Sequence, residues 1–193
     1  MKKIAIFASG MGTNFTAIAD SIKEGSLNAQ IAVLVCDKPK ATVIRKAEKL
    51  RIPTFVFSAK DYNSKAEYET EIAQLLKEKK VEWLVLAGYM RLIGETLLAT
   101  YENKIVNIHP ALLPKFPGKD AIRQSFEAKE KIVGATIHYV DSGMDTGKII
   151  SQASIKLTGR ESLETVAAKI HAIEHILFPQ TLSELLEGEY DNE

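Results

Sequence analysis

Ile4-Ala5-Ile6-Phe7-Ala8-Ser9-Gly10-Met11-Gly12-Thr13-Asn14 is the stretch whose reading decides the fold. Its first five residues form a continuous apolar run, as expected of a strand buried on both faces of a parallel sheet. The run closes in a glycine turn. Phe15, Ile18, Ala19 and Ile22 then recur at helical spacing until Gly25 supplies a stop. Strand, glycine turn and helix are the opening of a nucleotide-type α/β unit. The rhythm continues with strands at 31–35, 54–57 and 83–87 and a helix over 41–50. Ser64 and Glu67 form a capping box ahead of Tyr68, Ile72, Leu75 and Leu76 on one helical face. A helix through Leu97 and Leu98 leads to a fifth strand at Ile105 and Val106. Alternation of this kind implies a parallel sheet with right-handed crossovers.

Beyond residue 118 the pattern predicts a helix near 121–128 and strands at 134–140 and 148–155 joined by the loop 141–147. A final helix opens near Ser162, with Leu163, Val166, Ala167, Ile170, Ile173 and Leu177 facing inward. Residues 187–193 are acidic and expected to fray. The fold class is therefore α/β: a Rossmann-like, mostly parallel sheet flanked by helices, with the C-terminal strands added to the same sheet. No repeat, low-complexity tract or linker divides the chain, so residues 1–193 are expected to form a single domain.

The composition narrows the functional classes. Twenty-five basic and 25 acidic residues cancel, which argues against a nucleic-acid partner bound through bulk charge but not against a local phosphate pocket. The single cysteine, Cys36, rules out an internal disulfide or a cysteine-rich zinc framework. Lys2 and Lys3 ahead of an apolar run mimic a secretory leader, but the run ends after five residues, short of the roughly 7–15 that a leader needs. No apolar stretch approaches the roughly 20 residues of a membrane span. A cytoplasmic protein without a membrane partner is the expectation.

The second informative stretch is Asn107-Ile108-His109-Pro110-Ala111-Leu112-Leu113-Pro114-Lys115-Phe116-Pro117-Gly118. Three prolines stiffen it and hold the residues before them extended. Asn107 and His109 share strand parity, so their side chains are expected on one side, either as a polar site or as a surface turn with an ordinary histidine. The Gly10–Asn14 turn resembles the dinucleotide fingerprint, except that Phe15 fills the place of its third glycine. That argues against NAD or FAD despite Asp37 after the second strand, and no Gly-Lys-Ser/Thr follows to make a P-loop. What survives is a helix N-terminus suited to one phosphate, or a plain tight turn.

Asp145-Thr146-Gly147 spells the aspartic-protease triplet in a chain too helical for that fold. Its carboxylate is either free to approach His109 and favour the imidazolium, or a solvated turn residue. His171-Ala172-Ile173-Glu174-His175 matches the inverted zincin pattern, but Glu184, Glu187 and Glu189 look like solvated helix charges rather than a third ligand. Glu174 falls on the apolar stripe, where a carboxylate needs a partner. His138, alternating within a strand, reads as a packed or edge histidine. Met90-Arg91-Leu92-Ile93 either starts a helix or lines a cleft for a flat heterocycle, and the spacing does not decide.

Taken together, Asn107-Ile108-His109-Pro110, Leu112-Leu113-Pro114, Phe116-Pro117-Gly118 and Asp145 resemble the folate-dependent formyltransferases. Ser9-Gly10-Met11-Gly12-Thr13-Asn14, Leu86-Ala87-Gly88-Tyr89-Met90-Arg91 and Glu174 fit as well, so the likeness runs over about residues 4–187. The glycine turn and chain length point to the branch acting on glycinamide ribonucleotide in purine synthesis. The resemblance implies 10-formyltetrahydrofolate as cosubstrate and no metal. It implies Asn107, His109 and Asp145 as catalytic residues, and Gly12, Thr13, Asn14 and Glu174 as ribonucleotide-binding. Lys65, Met90, Arg91, Leu92, Ile93 and Asn107, with Asp141, Ser142, Gly143 and Met144 over the pterin, would hold the folate. It implies a phosphate-binding half over about 1–100, a catalytic half over about 101–193, a monomer or weak homodimer, and a cis bond at Leu113–Pro114. The family often carries a histidine where this chain has Asp120. The alternatives are a formyltetrahydrofolate deformylase, expected to carry an extra N-terminal domain, and a tRNA-formylating relative, expected to add a C-terminal domain and a basic surface. A non-catalytic nucleotide-binding module and a zinc hydrolase complete the set.

Overall fold

The strands Lys2–Phe7 (β1), Ala29–Cys36 (β2), Thr54–Val56 (β3), Trp83–Leu86 (β4) and Ile105–His109 (β5) run parallel. Ile132–Tyr139 (β6) and Ile149–Lys156 (β7) extend the same sheet in antiparallel fashion, giving the order β3-β2-β1-β4-β5-β6-β7. The structure is a computed structural model and describes residues 1–188. The frayed acidic tail expected of the sequence lies, from residue 189 on, outside the described residues, as does Glu189.

Period-two alternation in β1 explains how the sheet is covered. Ile4 and Ile6 pack into one cluster with Phe15 and Ile18 of the helix Thr13–Glu24 (α1), Val43 and Ala47 of Thr42–Lys49 (α2), and Phe178 and Leu182 of Leu163–Leu186 (α6). Ala5 and Phe7 face the opposite cluster, with Tyr68, Ile72 and Leu76 of Lys65–Glu78 (α3) and Leu97 of Glu95–Thr100 (α4). The last four residues of β1 are fully buried, as a strand with neighbours on both edges and helices on both faces must be. The edge strand β7 instead alternates between half-buried and exposed positions. Ala121–Glu127 (α5) and α6 cover β6 through Val133, Val166 and Ile170.

Because β1 lies between β2 and β4, successive crossovers leave it in opposite directions. A crevice therefore opens at the carboxyl ends of β1 and β4, the switch point where open α/β sheets bind ligands. Among the described residues no helix is long and apolar enough to cross a membrane.

Two local readings differ from the sequence expectation. The fifth strand does not give way at Val106 but continues through His109, so Asn107 and His109 are ladder residues opposite His138 and Thr136. The capping box is half formed: Ser64 accepts from the Glu67 N–H, but the Glu67 carboxylate accepts from Asn63 rather than from the Ser64 N–H. Leu113–Pro114 is cis, as the resemblance implied.

Candidate active site

A cleft of about 930 Å³ opens at the switch point. Its wall is drawn from the turn after β1, the segment after β4, the end of β5, the loop 141–145 and α6. Of the residues singled out in the sequence, Gly12, Thr13, Asn14, Met90, Arg91, Leu92, Ile93, Asn107, His109, Asp141, Gly143, Met144, Asp145 and Glu174 all line it. Lys65 and Ser142 do not: Lys65 stands on the first turn of α3 with its ammonium donating to the Leu92 carbonyl at 2.8 Å, and Ser142 is exposed. Leu163 and Ala167, expected to face the core, line the cleft instead.

The central cluster is made by β5, β6 and one loop. His109 is 4% exposed, and its Nε2 lies 2.7 Å from the Phe116 carbonyl, which can only accept, so Nε2 carries a proton. Its Nδ1 then faces Asp145 Oδ2 at 3.4 Å. The same Asp145 oxygen accepts from the Gly118 N–H at 2.7 Å, so the rigid loop and the carboxylate fix one another. Asp145 itself sits at φ 56°, a left-handed conformation that Asp tolerates better than most residues, and it is half-buried rather than solvated. Burial pushes its carboxyl pKa up. Hydrogen bonding from His138 and the Gly118 N–H and the nearby charge of both imidazoles outweigh that, so the net shift is below the ordinary value.

The 107–118 segment is held from beneath by buried Thr136. Its hydroxyl donates to the Ala111 carbonyl at 2.7 Å and accepts from the Leu113 N–H at 3.0 Å, while Gln152 donates to both Leu113 O and Thr136. His138 is packed, as the sequence suggested, at 2% exposure, but it also belongs to the polar cluster. Its Nδ1 donates to the Tyr139 carbonyl at 2.8 Å, and its Nε2 lies 3.1 Å from the Asn107 amide nitrogen and 3.5 Å from Asp145 Oδ1. Strand parity could not find it, because the contact depends on the antiparallel register Asn107↔His138.

At the other end of the cleft, Gly12 is the N-cap of α1 at φ 71° and makes no side-chain cap, so the first-turn N–H groups point outward. A Cβ on Gly12 would meet Val43 Cγ2 at 2.4 Å, so no other residue fits without moving α2. Glu174, 4% exposed, has the partner its position demands: His171 Nδ1 lies 2.6 Å from Oε2. That hydrogen bond raises the His171 pKa against the opposing effect of burial. Among the described residues no group of three His, Cys, Asp or Glu converges as a metal site.

The wall after β4 is tied to β1 and β2. Buried Ser9 donates to Asp37 Oδ1 and accepts from the Met90 N–H at 2.9 Å, and Arg91 Nε donates to Asp37 Oδ2 at 2.9 Å. Asp37 stands where a dinucleotide fold places its ribose-binding acid, and here it is occupied by protein donors. Met90, 63% exposed, Leu92 and Met144 offer apolar surface around the cleft mouth.

A sequence profile described as formyl transferase matches residues 2–182. The phosphoribosylglycinamide formyltransferase of Bacillus subtilis is 52% identical over 186 residues, covering 96% of this chain and 95% of that protein. A trifunctional purine biosynthetic protein adenosine-3 from Drosophila melanogaster is 35% identical over 189 residues, 97% of this chain but 14% of that much longer protein. Among solved structures, phosphoribosylglycinamide formyltransferase from Bacillus halodurans superposes with a TM-score of 0.94 at 51% identity, covering 99% and 98% of the two chains. Glycinamide ribonucleotide transformylase 1 from Geobacillus kaustophilus gives 0.94 at 55% identity over 96% and 99%. The profile match and these full-length likenesses show that the chain belongs to the formyl transferase family.

Proposed function

We propose that the protein transfers the formyl group of 10-formyltetrahydrofolate to the primary amine of glycinamide ribonucleotide, giving formylglycinamide ribonucleotide and tetrahydrofolate in purine synthesis. The observation that carries the reading is the meeting of Asn107, His109 and Asp145 at one point of the cleft, beside a glycine turn with unpaired N–H groups. The amine nitrogen attacks the formyl carbon, and the C=O electron pair moves onto oxygen. Asn107 donates to that oxygen and the positive charge of a protonated His109 stabilises it, both acting from fixed positions without reorganising. Asp145 balances and orients the imidazolium. The tetrahedral carbon then expels the folate nitrogen, which takes up a proton as the attacking amine loses one, with Asp145 and water as the relay.

The ribonucleotide phosphate occupies the Gly12-Thr13-Asn14 turn, and Glu174, with His171 beside it, holds the ribonucleotide. The flat folate lies along Met90, Arg91, Leu92 and Ile93 under the 141–144 segment, with Lys65 toward its glutamate tail. The exposed apolar side chains of Met90, Leu92 and Met144 support that placement. The work is thus divided between a phosphate-binding half, about residues 1–100, and a catalytic and folate-binding half within one domain. A spectrophotometric assay with 10-formyl folate, with and without glycinamide ribonucleotide, tests the proposal. Folate release only when the ribonucleotide is present is expected. Equal release without it would replace transfer by deformylation, and none in either case would leave a binding module.

A further inference from the structure

Helix α2 contributes no residue to the cleft wall, yet it grips the Gly10–Asn14 turn from behind at two points. The Val43 N–H donates to the Gly10 carbonyl at 3.1 Å, and the Lys46 ammonium donates to the Gly12 carbonyl at 3.3 Å. Val43 also touches the place where a Gly12 side chain would begin, so Lys46, three residues on, faces the turn from the same side of the helix. The Gly12 oxygen further accepts from the Thr16 N–H at 3.0 Å and the Thr16 hydroxyl at 2.9 Å, so three donors meet on one carbonyl. Among the described residues Lys46 takes part in no salt bridge.

The Gly12 carbonyl and the Thr13 N–H are two ends of one peptide unit. Donors that draw charge toward the oxygen make the N–H at the other end a stronger donor, and a half-buried cation without a carboxylate adds a field of the same sign to the helix N-terminus. A second observation points to a ligand there. Asn14, 9% exposed and on the cleft wall, has a buried Oδ1 with no hydrogen-bond partner, an acceptor that a hydroxyl of a sugar phosphate can satisfy and the phosphate dianion itself cannot. We infer that Lys46 is a positioning residue for a phosphate monoester: acting through the Gly12–Thr13 peptide, it strengthens and fixes the N–H groups that bind the dianion without touching it.

This inference rests on the phosphate reading of the turn, and titration calorimetry with ribose 5-phosphate separates the two. Wild type, Lys46→Met, Lys46→Gln and Lys46→Arg are titrated at low and high salt, alongside steady-state kinetics with the full substrates. Lys46→Met and Lys46→Gln are expected to weaken ribose 5-phosphate and raise the ribonucleotide KM about tenfold, with a shallower salt dependence. The formyl-folate KM should stay near wild type, and Lys46→Arg should restore most of the affinity. Equal binding by wild type and both neutral variants overturns the role of Lys46 while the phosphate turn stands. A wild type that binds no ribose 5-phosphate overturns the turn reading and the inference with it.

Discussion

At one end of the cleft the groups we propose for binding are backbone N–H groups of Gly12, Thr13 and Asn14, placed by a left-handed glycine and clamped by α2. At the other end they are the side chains of Asn107, His109 and Asp145, placed by a strand register and a loop carboxylate. The two ends should respond differently to substitution. A backbone-built site depends on one conformation and little on which side chains carry it, whereas a side-chain-built site depends on the identity of each group.

The largest effect should fall on the side-chain end. His109→Ala or Asp145→Ala is expected to lower turnover about 100–1000-fold, the usual scale for losing one preorganised group that stabilises the oxyanion, while circular dichroism keeps the wild-type signature. A near-normal rate in either variant would erase the contrast. The backbone end should fail through conformation: Gly12→Ala forces a Cβ against Val43 at positive φ and is expected to cost about 1–3 kcal/mol in urea denaturation. The same variant should raise the ribonucleotide KM about tenfold, whereas Thr13→Ala, which keeps its N–H, should change that KM less than about threefold. A Thr13→Ala variant as damaged as Gly12→Ala would show the site to be built from side chains after all.

A smaller effect sharpens the electrostatic side of the comparison. The Asp145 carboxyl is held below its ordinary value in the folded state, so its stabilising contribution is present above about pH 4 and is lost as pH falls through the folded value. Asp145→Asn lacks that contribution at every pH. The stability gap between wild type and Asp145→Asn, read from urea midpoints, should therefore be constant near neutrality and narrow as the pH drops below about 4. A gap that widens on acidification would mean that the carboxyl is raised rather than lowered.

Much of the fold was legible because it rests on short-range patterns. The apolar run at Ile4–Phe7, the αL stop at Gly25 and the caps at Ser64 and Ser162 report their own local energetics. The parity of Asn107 and His109 was equally local, and the two side chains do share one side of the sheet. Less legible were contacts that cross the sheet. The partners of Asp37 were open until Ser9 and Arg91 were seen to occupy it, and the partner that buried Glu174 needs was open until His171 was seen to pair with it. His138 carried no sequence signal separating it from any buried strand histidine, because its partner is set by how β6 slides against β5.

By itself, then, the sequence determined the α/β class, the strand and helix order, the turn that ends β1 and the formyltransferase resemblance. Each of these is written in residues close together along the chain, where periodicity, capping and fixed φ act. Only the tertiary structure decided that Asp145 turns inward to His109, that His138 stands against Asn107 and that Lys46 backs the Gly12 carbonyl. Those contacts join segments tens of residues apart, and their geometry follows from strand order, register and helix seating, which no local preference encodes.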